Sequence, residues 1–264
     1  MLGTGVEFYL VLLLFAVPGI VVGFTVHEYC HALVATRYGD PTPRAQGRLS
    51  FNPANQIDPF GLAALVLIGI GFARPVQFDP RYVRAGRQRA WLSAAGPLSN
   101  LVVAAVLCLL LRLLLAADPQ VRNCALPSFA LPLQGYVYWI LVEAFFVNVI
   151  LFVFNLIPIP PLDGYGVAEG LFRGQAPLLF QWIDRNRMAI LVGALLLFFF
   201  VLPTLFGSGV SIAGPILAAA DWLWRLTINH SPPVELFPNL AYILQPSSQG
   251  LANLLTNPCP SPFY

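Results

Sequence analysis

Four apolar runs, residues 8–38, 90–117, 136–157 and 188–206, fill much of the chain, and each is near or above the roughly 20 residues that a helix needs to cross a bilayer. They point to one fold class, an α-helical polytopic membrane protein. Composition agrees: of 264 residues, 58% are hydrophobic and 10% charged, against roughly 25% charged in a soluble domain. Two shorter runs are open. Residues 60–72 are too few to cross and contain Gly61, Gly69 and Gly71, so they read as a re-entrant segment or hairpin. Residues 211–228 carry Asp221 and Arg225, with Trp222 and Trp224 suited to a headgroup boundary, and read as a span or an interfacial helix. The expectation is four to six transmembrane segments, with a small re-entrant or β-hairpin element after the first long helix.

All 14 basic residues are arginines, and they sit in short connections instead of on a basic face interleaved with aromatics. A nucleic-acid partner is therefore not expected, and the lipid bilayer is. If residues 60–72 dip in and return, the connection from Arg37 to Arg89 holds eight arginines on one side, joined there by Arg173, Arg185 and Arg187. The far side then has Arg122, and the first seven residues have none. By the positive-inside rule the arginine-rich side is cytoplasmic. A full crossing by 60–72 would put Arg74, Arg81, Arg84, Arg87 and Arg89 outside, which is the poorer topology. The N-terminus lacks the basic flank and cleavage site of a signal peptide, so the first span is expected to be retained.

The four cysteines, Cys30, Cys108, Cys124 and Cys259, form no C-x-x-C pair and assign no redox compartment. Residues 47–61 alternate short apolar and polar residues with Asn-Pro and Asp-Pro breakers, and read as short strands and turns beside the site. A free strand edge there could add an unwound substrate as another strand. One membrane domain is expected over residues 1–228, followed by a Pro-rich tail, 229–264, in which His230 reads as a solvated loop residue.

Chemistry concentrates in the first apolar run. His27-Glu28-Tyr29-Cys30-His31 has the H-E-x-x-H form, and on a helix the four-residue spacing puts both imidazoles on one face, a metal clamp with Glu28 beside it. The nearest arginine, Arg37, is about 15 Å further along such a helix. Ionisable side chains this deep in an apolar run are costly and are by default paired, metal-bound or otherwise functional. A catalytic zinc takes three protein ligands and leaves one position open. The third donor is read as Asp163, which follows Pro158, Pro160 and Pro161 where they end the third long run, with Gly164 permitting a sharp turn after it. On the topology above, Asp163 and the histidine pair share one side. Glu143 and Asn148, inside the third run, read as interior hydrogen-bonding residues. Asn100, one turn after Gly96, bonds either substrate or a neighbouring helix.

Two segments carry a resemblance. F-x-x-H-E-x-x-H-A-L-x-A at 24–35 and N-x-x-P-x-x-x-L-D-G at 155–164 resemble the two signature motifs of the site-2 protease family of intramembrane zinc metalloproteases. The likeness spans residues 21–166 and includes Arg37-Tyr38-Gly39-Asp40 and Gly96-Pro97-Leu98-Ser99-Asn100. It implies His27, His31 and Asp163 as ligands of one Zn²⁺ per chain, Glu28 as the base, and Asn100 as a residue that positions substrate. The implied substrate is a transmembrane protein whose spanning helix is cut after partial unwinding, and the implied branch is the small one without PDZ or CBS domains. Small relatives often have His where this chain has Gln56. The competing expectation is a catalytically silent zinc-binding membrane protein with a regulatory or scaffolding role. A metal transporter would need further intramembrane ligands along a path. The sequence leaves the oligomeric state open.

Overall fold

A computed structural model of the chain describes residues 3–68, 71, 73–84, 86–119, 121, 132–197, 201, 222–225 and 228. Three long helices dominate these residues: α1 (Gly3–Arg37), α5 (Gly86–Ala117) and α6 (Leu133–Asn155). Shorter helices join them: α2 (Thr42–Ala45), α3 (Pro53–Gln56), α4 (Pro59–Ile68), α7 (Asp163–Phe172), α8 (Pro177–Arg185) and α9 (Arg187–Leu196). By length and composition α5, α6 and the Leu13–Arg37 part of α1 could each cross a membrane. The expected run 188–206 is represented by α9, and the rest of it lies largely outside the described residues. The run 211–228 is described only at 222–225 and 228. The tail from 229 on, with His230, Cys259 and the proposed domain boundary, is likewise outside them, as are Arg122 and Cys124.

Small residues decide how the three long helices meet. Gly19 and Gly23 of α1 form a small-x-x-x-small pair of the kind that lets helices approach closely in lipid. A Cβ on Gly19 would stand 2.8 Å from Ala144 Cβ, and one on Gly23 would stand 3.0 Å from Asn148 Oδ1. Residue numbers rise together along α1 and α6, so these two helices run parallel. In α5 the sense is opposite, because Leu92 meets His31 and Asn100 meets Gly23. The His-bearing end of α1, the start of α5 and the end of α6 therefore lie on one side. The connection between α1 and α5 therefore begins and ends on that side. Away from it, Phe15, Leu111, Trp139, Val142 and Phe145 build the main apolar core. Trp224 joins that core, its ring 5.6 Å from Phe145 and 5.4 Å from Phe146, so the described part of run 211–228 docks on α6.

The connection between α1 and α5 differs from the strands expected for it. Among the described residues there is no strand, and the only pairing is an isolated antiparallel bridge between Ile57 and Ala73. Asn-Pro and Asp-Pro act as helix starts instead of breakers. Asn52 accepts from the Ala54 N–H at 3.1 Å and Asp58 accepts from Phe60 and Gly61, each followed by proline at the first helical position. Proline there gives up a donor that the helix cannot use anyway. The proposed free strand edge at 47–61 has no counterpart among the described residues. Gly39, at φ +92°, ends α1 in the left-handed conformation that only glycine adopts freely.

Candidate metal centre

Gly19, Gly23, His27 and His31 recur every four residues and so share one face of α1, the face that α5 and α6 cover. At its far end the two imidazoles stand with Nε2 atoms 3.1 Å apart. Asp163 Oδ2 lies 3.0 Å from His27 Nε2 and 3.3 Å from His31 Nε2. Ligands bound to zinc at roughly 2.0–2.1 Å in a tetrahedron are separated by about 3.3 Å. The three separations match that edge. His31 Nδ1 donates to the Leu92 carbonyl at 2.7 Å, and His27 Nδ1 meets Asn100 Oδ1 at 2.6 Å. In neutral rings both Nε2 atoms are then bare acceptors, pointing with a carboxylate oxygen at one spot. Such a convergence of lone pairs calls for a cation, and the three residues could hold a divalent metal.

Gly96 keeps that spot open. A Cβ there would stand 2.5 Å from His27 Nε2 and closer still to His31 Nε2, so any side chain at 96 would fill the space between the donor tips. Pro97 follows it inside α5 and withdraws the helical donor from the Ser93 carbonyl. Leu92, whose carbonyl holds His31, precedes that break by one residue.

Asp163 arrives from outside the bundle. It is the first residue of α7, where the helix dipole favours a carboxylate. Gly164 sits in helical backbone, so its role differs from the sharp turn expected. It lets the chain fold back on itself: a Cβ at 164 would meet the Ile157 carbonyl at 2.5 Å. Further along, α7 runs antiparallel to α5 at backbone contact. A Cβ on Gly166 would stand 2.9 Å from Ser93 Cβ, and one on Gly170 would stand 2.5 Å from the Gly86 carbonyl. Continued toward Gly96, this zip delivers Asp163 to the histidines. A cluster of charges holds it as well. Arg173 reaches Glu169 at 2.7 Å and also Asp184 of α8, Arg89 of α5 pairs with Glu169, and the Tyr165 hydroxyl donates to Asp184 at 2.8 Å.

Glu28 points to the segment that leaves the Ile57–Ala73 bridge. The Val76 N–H donates to its Oε2 at 3.0 Å, which fixes one carboxylate oxygen. Two more bonds pin that segment: Arg74 N–H to the Gln56 carbonyl at 2.9 Å, and Asp79 N–H to buried Asp40 at 2.6 Å. Arg48 ties the two halves together, donating to the carbonyls of Asn55 and Arg74 and, at 3.0 Å, to Gln56 Oε1. Gln56 is fully buried and gives both amide protons to the Arg48 and Ser50 carbonyls, each at 2.8 Å. In this chain position 56 is a backbone latch.

Comparison with known proteins decides the family. The profile of peptidase family M50 matches residues 15–200. The chain belongs to that family, the site-2 proteases. It is 41% identical to YwhC of Bacillus subtilis over 154 residues, 58% of this chain and 66% of that protein. It is 32% identical to Rip2 of Mycolicibacterium smegmatis over 167 residues, 61% of this chain and 58% of that protein. To Rip2 of Mycobacterium tuberculosis it is 30% identical over 229 residues, 79% of this chain and 81% of that protein. The names of all three place them among the zinc metalloproteases. The chain thus spans less than two thirds of the length of YwhC and of the M. smegmatis Rip2. No solved structure matches.

Within this M50 chain the structure brings His27, His31 and Asp163 together and places Glu28 in the same turn of α1. Asn100, read from sequence as facing either substrate or a helix, bonds His27, the Gly23 carbonyl at 3.1 Å and Asn148 at 3.0 Å. Glu143 is buried, and its Oε1 has no hydrogen-bond partner among the described residues. Sequence reasoning missed Val76 and Leu92, which contribute backbone atoms that no residue type advertises.

Proposed function

We propose that the chain is a zinc-dependent intramembrane endopeptidase that cuts a transmembrane protein substrate in or near its spanning segment. The observation that carries this reading is the meeting of three donor atoms at tetrahedral-edge distances around a spot left open by Gly96, with Glu28 next to His27. His27, His31 and Asp163 would hold one Zn²⁺ per chain, which when bound supplies the Lewis acidity that polarises a peptide carbonyl and acidifies a water. Glu28 is the general base. It takes the proton of the attacking water and returns it to the leaving nitrogen, while the Val76 N–H holds its rotamer. The arginine-rich side, where all four residues lie, is the cytoplasmic one by the positive-inside rule. The bundle keeps the site in a low-dielectric surrounding, in which each placed charge acts strongly.

The test is cleavage of a single-span substrate by the reconstituted chain, beside metal content. Glu28→Gln should keep zinc and lose about 10²–10⁴-fold in rate, the usual span for a general base, and stripping the metal should abolish cleavage. Cleavage unchanged by both treatments removes the mechanism. Zinc retention without cleavage of any spanning substrate favours the silent, scaffolding reading.

A further inference from the structure

We propose that Asn148 and Asn100 form a positioning relay that sets the tautomer of His27 and so presents its Nε2 lone pair to the metal position. The inference rests on the metal-binding reading above and reaches a residue two contacts away from the ligand. Its logic starts at groups whose direction is not in question. Backbone carbonyls only accept, and the Asn148 amide nitrogen faces two of them, Ala144 at 2.8 Å and Gly19 at 3.5 Å. Asn148 Oδ1 is therefore the atom turned toward Asn100. Asn100 Nδ2 donates to it at 3.0 Å and to the Gly23 carbonyl at 3.1 Å, which uses both amide protons. What remains is Asn100 Oδ1, an acceptor, 2.6 Å from His27 Nδ1. The proton of a neutral His27 must then sit on Nδ1, and Nε2 is bare.

Turning over either amide would set two donors or two acceptors against each other inside a site where both asparagines are 0% exposed. The relay is thus directional from the α6 backbone to the imidazole. His31 needs none, because a carbonyl of α5 reaches its Nδ1 directly. His27 lies a turn deeper, and the two asparagines carry the instruction from carbonyls of α1 and α6 that the glycines leave accessible. Outer partners of metal-bound histidines typically account for about 10–100-fold in metal affinity.

The test measures the zinc dissociation constant of the full-length chain by competition with a chromophoric chelator, with helicity and thermal unfolding of the metal-free protein as the folding control. Asn148→Leu should weaken zinc by about 10–100-fold, although Asn148 touches no ligand. Asn100→Leu should do at least as much. Adding Asn148→Leu to Asn100→Leu should cost little more, because there is no longer an amide to orient. Wild-type affinity in Asn148→Leu, or an equal loss in both backgrounds, overturns the relay and leaves Asn148 as packing. If Asn148→Leu does not fold, Asn148→Ala carries the same prediction. Failure of the wild-type chain itself to bind zinc removes the metal reading, and the relay with it, a result distinct from either outcome in the variants.

Discussion

His27 and Asp163 meet at one spot, yet the regions that hold them use opposite chemistry. Between α1, α5 and α6 the residues that orient His27 are neutral amides and backbone carbonyls, fully buried and fully bonded. Around α7 the residues that seat Asp163 are Arg89 of α5, Glu169, Arg173 and Asp184 of α8, a charged cluster partly open to solvent. The difference follows from the surroundings. A charge inside the bundle meets a large desolvation cost, whereas a satisfied neutral amide meets little, so precision in the interior comes from hydrogen-bond direction. Outside, water screens each ion pair to a small contribution, and several are needed to hold one short helix. The interior fixes a tautomer and the exterior fixes a helix.

The sharpest way to break this comparison is at Gly96, where the two regions meet. Gly96→Val places atoms in the space that the three donors face, so purified protein should retain no zinc and cut nothing, with helicity unchanged. Full zinc content in that variant would show that the donors meet a metal elsewhere. A smaller effect is expected at the zip between α5 and α7. Gly170→Ala puts a methyl against the Gly86 carbonyl, and overpacking of this kind costs about 1–3 kcal/mol. It should lower the melting temperature and weaken zinc by moving Asp163, while the His27 relay stays intact. A drop in stability with zinc affinity untouched would separate the zip from the site.

How much of this could be read from the residues alone depended on which atoms do the work. His27, Glu28, His31 and Asp163 carry distinctive side chains, and the structure brings both histidines and Asp163 within 3.3 Å of one another, with Glu28 on the same turn of α1. The parallel course of α1 and α6 was legible from the arginines, because charge bias follows topology and the connection 38–85 returns to its own side. Asn52 and Asp58 misled, since Asn-Pro and Asp-Pro serve equally as breakers and as helix caps, and only neighbouring packing chooses. Gly164 was visible but for the wrong reason: close approach, and not a sharp turn, excludes a side chain. Val76 and Leu92 were invisible, as any residue offers the same N–H or carbonyl.

The exterior cluster gives the mildest effect and the one most open to pH. Burial pushes the Tyr165 hydroxyl up to about 12, helped by the carboxylate of Asp184 that it donates to, so this donor stays protonated throughout the working range. Burial alone would raise Asp184, but hydrogen bonds from Arg173 and Tyr165 outweigh it and hold the carboxyl below its ordinary range. A carboxyl depressed in the folded state stabilises fully above its unfolded pKa of about 3.9 and loses that contribution as pH falls further. Asp184→Asn should therefore lower stability by no more than about 1 kcal/mol near neutrality, the usual scale of an exposed pair, and the gap from wild type should close below about pH 4. High salt should narrow it as well, since screening reaches partly exposed pairs and not the amides around His27. A gap that persists at low pH and high salt would mean that α8 is seated by Phe180 packing on Tyr165, and that the exterior region holds Asp163 by the same close fit as the interior.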